Sequence, residues 1–165
     1  LLNEKLGKLM EIEYRPIDIS DFDEVKYFFI THEYSWRDAD PENFIPRSDE
    51  EREQIAKKYI IELQDPKEKY HCLGAFLHNK LIGSHFLDRY IIEGKSACHV
   101  HGLWVDPSFR EKGVAHKLKE LGETWARSKG CLLMDSNVKV SNKAMISLNE
   151  RMGYKVARYN FRKEL

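Results

Sequence analysis

The sequence predicts a single α/β domain, a mixed and largely antiparallel sheet flanked by helices, in the order β-α-α-β-β-β-α-β-α-β. Three observations carry this expectation. Segments with a two-residue hydrophobic period alternate with segments of helical period. Capping and turn signals fall at the changeovers. The 165 residues hold no repeat, low-complexity tract or internal linker, and one domain fills that length.

The elements follow in order. "EIEYRPI" (11–17) alternates apolar and polar residues and reads as a strand. Ser20 and Asp23 form an S-x-x-D start for a helix through about Ser35, with Phe22, Val25, Phe28, Phe29 and His32 at helical spacing. "WRDADPENFIP" (36–46) reads as a loop from its Asp, Asn and Pro content. Ser48 and Glu51 repeat the capping box, and Ile55, Tyr59 and Leu63 give a second amphipathic helix ending near Asp65-Pro66. "YHCLGAFL" and "KLIGSHFLDRYII" then flank His78-Asn79 as a hairpin. Gly94 marks a second turn into the strand "SACHVHGLWV", where Gly102 signals a bulge or a close backbone approach. Val114, Leu118, Leu121 and Trp125 make a helical stripe closed by Gly130. "CLLMDSNV" is strand-like, Ser141 caps a last helix that ends at Gly153, and "YKVARYNFRKEL" alternates as a closing strand.

Composition narrows the function. With 27 basic and 27 acidic residues the net charge is zero, so no broad field draws nucleic acid or an anionic membrane. Any anion must be held by local geometry. Cys72, Cys98 and Cys131 are far apart among apolar neighbours and read as buried reduced thiols, which points to the cytoplasm. No apolar run reaches the roughly 18 residues of a membrane span, and the charged start does not read as a signal peptide. Met10 reads as an original start, with residues 1–9 an extension or an expression remnant and 10–165 the domain.

The corner "VDPSFREKGVAHKL" (105–118) carries the chemistry. The first amides of a helix have no intrahelical partner and, with the helix dipole, attract anions. Gly113 permits close approach and positive φ, Ala115 keeps the first turn small, and Arg110 and Lys112 add positive charge at the rim. The set suits a diphosphate. It is neither a Walker A loop nor the GxGxxG turn. A solvated turn with incidental charges is the competing reading of R-x-x-G-x-A taken alone.

With its flanks, the corner resembles motif A of the GNAT superfamily of N-acetyltransferases, V-x-P followed by [QR]-x-x-G-x-[GA], through Val105, Pro107, Arg110, Gly113 and Ala115. "NKAMISLNERMGY" resembles motif B, with Asn142, Gly153 and Tyr154 in register. The element order agrees over nearly the whole chain. The resemblance implies acetyl-CoA as cofactor, a splay between the fourth and fifth strands, and pantetheine paired with the backbone of Leu103 and Val105, flanking Trp104. It implies a diphosphate on the amides of Arg110, Glu111, Lys112, Gly113, Val114 and Ala115, and a pantetheine contact from Asn142, for which helix capping is the alternative.

For acetyl transfer to an amine, the family's motif B tyrosine falls here at Asn149. An asparagine can hydrogen-bond the sulfur but cannot deliver a proton. Since a thiol pKa lies near about 8.5, its anion is a tolerable leaving group without an acid. His99 and His101 are candidate bases just before the splay, or else half-exposed strand histidines. No third ligand accompanies H-x-H, so no metal is expected. Asn137 and Asp135 face either the acceptor or solvent. Tyr34 and Trp36, with the carboxylates of residues 38–42, either recognise a cationic small-molecule or peptide amine or form a solvated loop. The short C-terminus leaves either a homodimer that completes the terminal edge or a monomer with a charged one. Two functions stand: an N-acetyltransferase working in a ternary complex, and a catalytically silent acyl-CoA binder. A nucleic-acid role is disfavoured by the neutral charge.

Overall fold

The computed structural model describes residues 11–163, so the N-terminal extension read above lies outside the described residues. Five strands form one sheet in chain order: β1 (Glu13–Pro16), β2 (Tyr70–Leu77), β3 (Lys80–Ile92), β4 (Lys95–Val105) and β5 (Leu133–Ser136). The first four are antiparallel, and β5 joins β4 in parallel through a helical crossover. Helices α1 (Phe22–Ala39) and α2 (Asp49–Leu63) cover one face. Helix α3 (Val114–Ser128) covers the other, and α4 (Lys143–Arg151) follows β5.

Strand alternation builds the two cores. Cys72, Phe76 and Phe86 turn toward Val25, Phe28 and Phe29 of α1 and Ala56 of α2. Leu73, Ala75 and Ile82 turn toward Val114 and Leu118 of α3, and Leu87, Cys98 and Val100 toward Ala126. The three cysteines are buried and unpaired, as expected. No described helix is long and apolar enough to cross a membrane.

Several local expectations are corrected. Helix α1 is capped by Asp21, which accepts from the amides of Asp23 and Glu24, while Ser20 donates to Asp18. The helix runs on through Trp36 to Ala39, because nothing in WRDA breaks it and the stop comes only at Asp40-Pro41. Trp36 is therefore helical. Helix α4 is capped by Asn142 rather than Ser141. The strand order holds through β5, but residues 155–163 form no ladder. Four-residue β5 offers few pairing positions, and the tail is held by side chains, Arg158 donating to Asp135 at 3.0 Å, with Val156, Tyr159 and Phe161 exposed.

One buried charge tests this packing. Lys119 on α3 is fully buried, and its Nζ has no hydrogen-bond partner and sits 4.1 Å from the Tyr154 ring centre. The Tyr154 hydroxyl donates to Glu123 at 3.2 Å, docking the end of α4 on α3. Burial lowers the Lys119 pKa from 10.5 to about 8, opposed by Glu123. That fall corresponds to roughly 3 kcal/mol of penalty on the folded state. Because the folded protein holds this proton less tightly than the unfolded chain, the penalty is complete below about pH 8 and fades as pH rises to 10.5. Lys119→Met should raise stability at pH 7 by about 1–2 kcal/mol, since loss of the cation–π contact offsets part of the gain. Denaturant melts should show that gain shrinking above pH 8. A gain independent of pH would exclude charge burial as its source.

Candidate active site

The site begins where β4 loses a neighbour. β5 pairs with β4 only from Ala97↔Leu133 to Val100↔Ser136, whereas the β3 ladder continues to Val105. The amide of Asp106 donates back to the carbonyl of Ile82 at 2.8 Å, so alternation turns the amides and carbonyls of Leu103 and Val105 outward into the gap. The carbonyl of Val105 accepts there from Arg110 Nε at 2.9 Å.

The register shifts opposite Phe86/Leu87, placing a bulge at His101–Gly102. Both expectations for Gly102 are met, because a Cβ there would also collide with His32 Nδ1 and lie 3.1 Å from Ser35 Oγ. The bulge directs His101 and Gly102 consecutively toward α1, which alternation alone does not settle.

After a 3₁₀ turn over Pro107–Phe109, the chain enters α3 through two left-handed residues, Glu111 at φ 61° and Gly113 at φ 81°. Gly113 is the N-cap and no side chain caps the helix, so its first amides form an anion-binding nest. A cavity of about 990 Å³ opens in front of them. Leu103, Trp104, Val105, Arg110, Glu111, Gly113, Val114, Ala115 and Asn142 all line it, as do Ser35 and Asp38 of α1 and Met145 and Leu148 of α4. Lys112 and Asn149 are not among the lining residues.

The rim cations differ from expectation. Arg110 Nη2 donates to Asp38 at 2.5 Å, and Lys112 Nζ donates to the carbonyl of Ser108 at 2.8 Å. Both charges are engaged by the protein itself. Lys139 pairs with Asp40, so the end of α1 is tied to both walls of the cavity. Asn142 serves as cap, its Oδ1 accepting from the Met145 amide at 3.2 Å. Asn149 Nδ2 donates to Ser136 Oγ at 3.4 Å, and its buried Oδ1 has no partner in the protein.

Beside the splay, the α1-facing side of β3–β5 carries a polar cluster. His101 Nε2 lies 3.0 Å from Asp88 Oδ2, and its ring stacks on Phe86 with centroids 4.9 Å apart. His99 Nδ1 lies 3.3 Å from Asp135 Oδ2, which also accepts from the Tyr90 hydroxyl at 2.7 Å and from Arg158. Burial raises the Asp135 pKa, but Tyr90 and Arg158 outweigh it and leave the carboxyl below the ordinary aspartate value. Burial, then Asp135, pushes Tyr90 to about 12. His32, buried under Trp36, is pushed down to about 3, first by burial and then by repulsion from the His101 ring when that carries a charge and from Arg47, and is neutral.

Tyr34 lies 5.6 Å from the Trp104 ring, and Trp36 stands half-exposed against His32. Asn137 is exposed just past β5. The sequence reading overlooked Asp88, Tyr90 and the Asp38–Arg110 tie. A charged residue at the inward parity of "FLDRYII" was the available signal for Asp88. Among the described residues no cluster of three or more His, Cys, Asp or Glu is arranged to hold a metal.

The chain matches the family model of the Acetyltransferase (GNAT) family over residues 29–154. The chain belongs to that family. Solved structures agree in fold. An acetyltransferase of Trypanosoma brucei is 19% identical, with 94% of this chain and 100% of that one covered and a TM-score of 0.64. The aminoglycoside N-acetyltransferase AAC(6')-Iy, in complex with CoA, is 17% identical over 94% and 95% of the two chains, with a TM-score of 0.69. An aminoglycoside acetyltransferase from an uncultured soil metagenomic sample, in complex with sisomicin, is 13% identical over 96% and 99%, with a TM-score of 0.65. At these identities the likeness fixes the fold. For this GNAT protein, acetyl-CoA is the cosubstrate.

The turn itself is testable. A β-branched side chain at the Gly113 φ of 81° is strained by roughly 1–2 kcal/mol. Gly113→Val should relax the turn, scatter its amides and weaken coenzyme A binding at least tenfold by calorimetry, roughly 1.4 kcal/mol. Unaltered affinity would count against the turn as the anion cradle.

Proposed function

We propose that this protein moves the acetyl group of acetyl-CoA to a primary amine by direct attack in a ternary complex, within one domain spanning residues 10–165. The observation that carries the reading is the one-sided ladder of β4 beyond Val100, which opens onto the cavity at one end and the histidine cluster at the other. The bound cosubstrate supplies an activated acetyl thioester. The amides from Arg110 through Ala115 hold its diphosphate. Leu103 and Val105 offer strand-like backbone pairing to the pantetheine, with Trp104 between them. An outward amide of this segment polarises the thioester carbonyl, which costs no reorganisation during reaction. The free Nδ2 capacity of Asn142 serves the pantetheine while its Oδ1 caps α4.

His101 is the favoured base over His99. It is the first β4 residue past the last β5 pair, and Asp88 engages it directly, whereas the partner of His99 is shared with Tyr90 and Arg158. The amine approaches along α1, past half-exposed Trp36 and half-buried Tyr34, whose rings carry the guanidinium groups of Arg47 at 5.0 Å and Arg37 at 4.4 Å, so a cationic acceptor would take the place of one of them. Asn149 is buried with its amide donating to Ser136 and does not line the cavity; it offers no acid, and none is required of it.

A catalytically silent acyl-CoA binder is the second reading, favoured by asparagine at position 149. Thiol release from acetyl-CoA separates the two. The acceptor panel is simple amines, peptide N-termini and sisomicin, the ligand of one structural neighbour. Turnover above background on at least one acceptor is expected, and His101→Ala should lower kcat by roughly 10²-fold or more with coenzyme A affinity kept. Background rates across the panel, with the cofactor still bound, would leave the binder.

A further inference from the structure

We infer that Asp88 is a positioning residue for the proposed acetyl transfer: it fixes the tautomer of His101 and stabilises the imidazolium formed when His101 takes the proton of the amine. The inference rests on the reading of His101 as base. Asp88 comes from β3, pairs in register with His99 rather than His101, and reaches across only because the bulge swings His101 over Phe86.

The geometry dictates the division of labour. A carboxylate at 3.0 Å from Nε2 accepts, so the neutral ring carries its proton on Nε2 and leaves Nδ1 as the basic nitrogen. Stacking on Phe86 restrains the ring in that orientation. Asp88 Oδ1 is buried and has no partner in the protein, so its charge is not shared with a second donor. Asp135 serves Tyr90, Arg158 and His99 together. In the transfer step the nitrogen–carbon bond forms as the carbon–sulfur bond breaks. The proton shed by nitrogen goes to Nδ1, Nε2–H stays bonded to Asp88, and the electron pair of the broken bond stays on sulfur.

The groups that face His101 are Asp88 from β3, His99 from β4 and His32 from α1. Asp135, Tyr90 and Arg158 stand beyond His99, and Arg47 acts on His32. His32 is neutral, which leaves Asp88 as the carboxylate in direct contact.

The test is the pH dependence of kcat/KM for Asp88→Asn, beside Asp88→Glu, His101→Ala and the wild-type protein. Replacing the carboxylate by an amide removes the counter-charge and lets the side chain donate to Nε2, which selects the wrong tautomer. The acid limb should move to lower pH, and kcat should fall by roughly 10²-fold or more. Coenzyme A affinity should hold, and Asp88→Glu should recover part of the rate. An acid limb in its wild-type place, or a loss matched by an equal loss of coenzyme A affinity, overturns the role of Asp88. If His101→Ala keeps wild-type turnover, the base reading itself fails. If His101→Ala removes the limb and Asp88→Asn leaves it unmoved, only the present inference fails. Nitrogen NMR of the unsubstituted protein gives a check independent of folding defects: neutral His101 protonated on Nε2 supports the inference, and protonation on Nδ1 sinks it.

Discussion

The fold turns on a shortage of backbone partners. A strand buried in a sheet satisfies its amides and carbonyls on both sides, and unpaired groups away from water are costly. β4 does so as far as Val100 and then continues for five residues with β3 alone. The loss is deliberate in physical terms. β5 ends at Ser136, the bulge at His101–Gly102 twists the strand away, and α4 starts from a cap at Asn142 on the far wall. The outward groups of Leu103 and the amide of Val105 then point into a cavity, while the Val105 carbonyl accepts from Arg110. A ligand with amide groups of its own is the natural complement to such an edge.

The same economy governs charge. The chain has no net charge with which to gather a polyanion, and the two cations beside the anion turn are already held, Arg110 by Asp38 and Val105 and Lys112 by Ser108. In the proposed complex, what remains for a diphosphate is the fixed dipole array of the α3 start, set by the positive φ of Glu111 and Gly113. Arg110 braces β4, the turn and α1 while lining the cavity. Motif residues can match a family pattern while their side chains serve the scaffold.

Much of this was legible in the sequence because local chemistry decided it. Gly113 needs its backbone freedom, Gly102 its missing Cβ, and Ser48 with Glu51 its reciprocal cap, all of which are short-range demands. The misses are of a different kind. Trp36 reads as loop from its neighbours, yet helix α1 continues because the break lies at Pro41. The last segment alternates like a strand, yet a strand requires an edge long enough to receive it, and four-residue β5 is not. Asp88 is invisible as a partner of His101 because the bulge, a tertiary register event, brings together two residues thirteen positions apart on adjacent strands. Periodicity reports which face a residue takes and not which neighbour it meets there.

Asn149 in the tyrosine position of motif B bears most directly on whether this scaffold is an enzyme. An acid matters when the leaving group is a strong base, and a thiolate with a conjugate acid near about 8.5 is not. The heavier demand falls on the other proton, since an alkylammonium near about 10.4 must lose it before attack. In the proposed transfer that demand falls on the His101 imidazole, held against Phe86 and Asp88 where the splay opens. The Asn149 amide is tied to Ser136 and buried at α4, and it brings no titrating group to this position. With asparagine at this position, the proposed transfer rests on the base and on backbone positioning rather than on an acid.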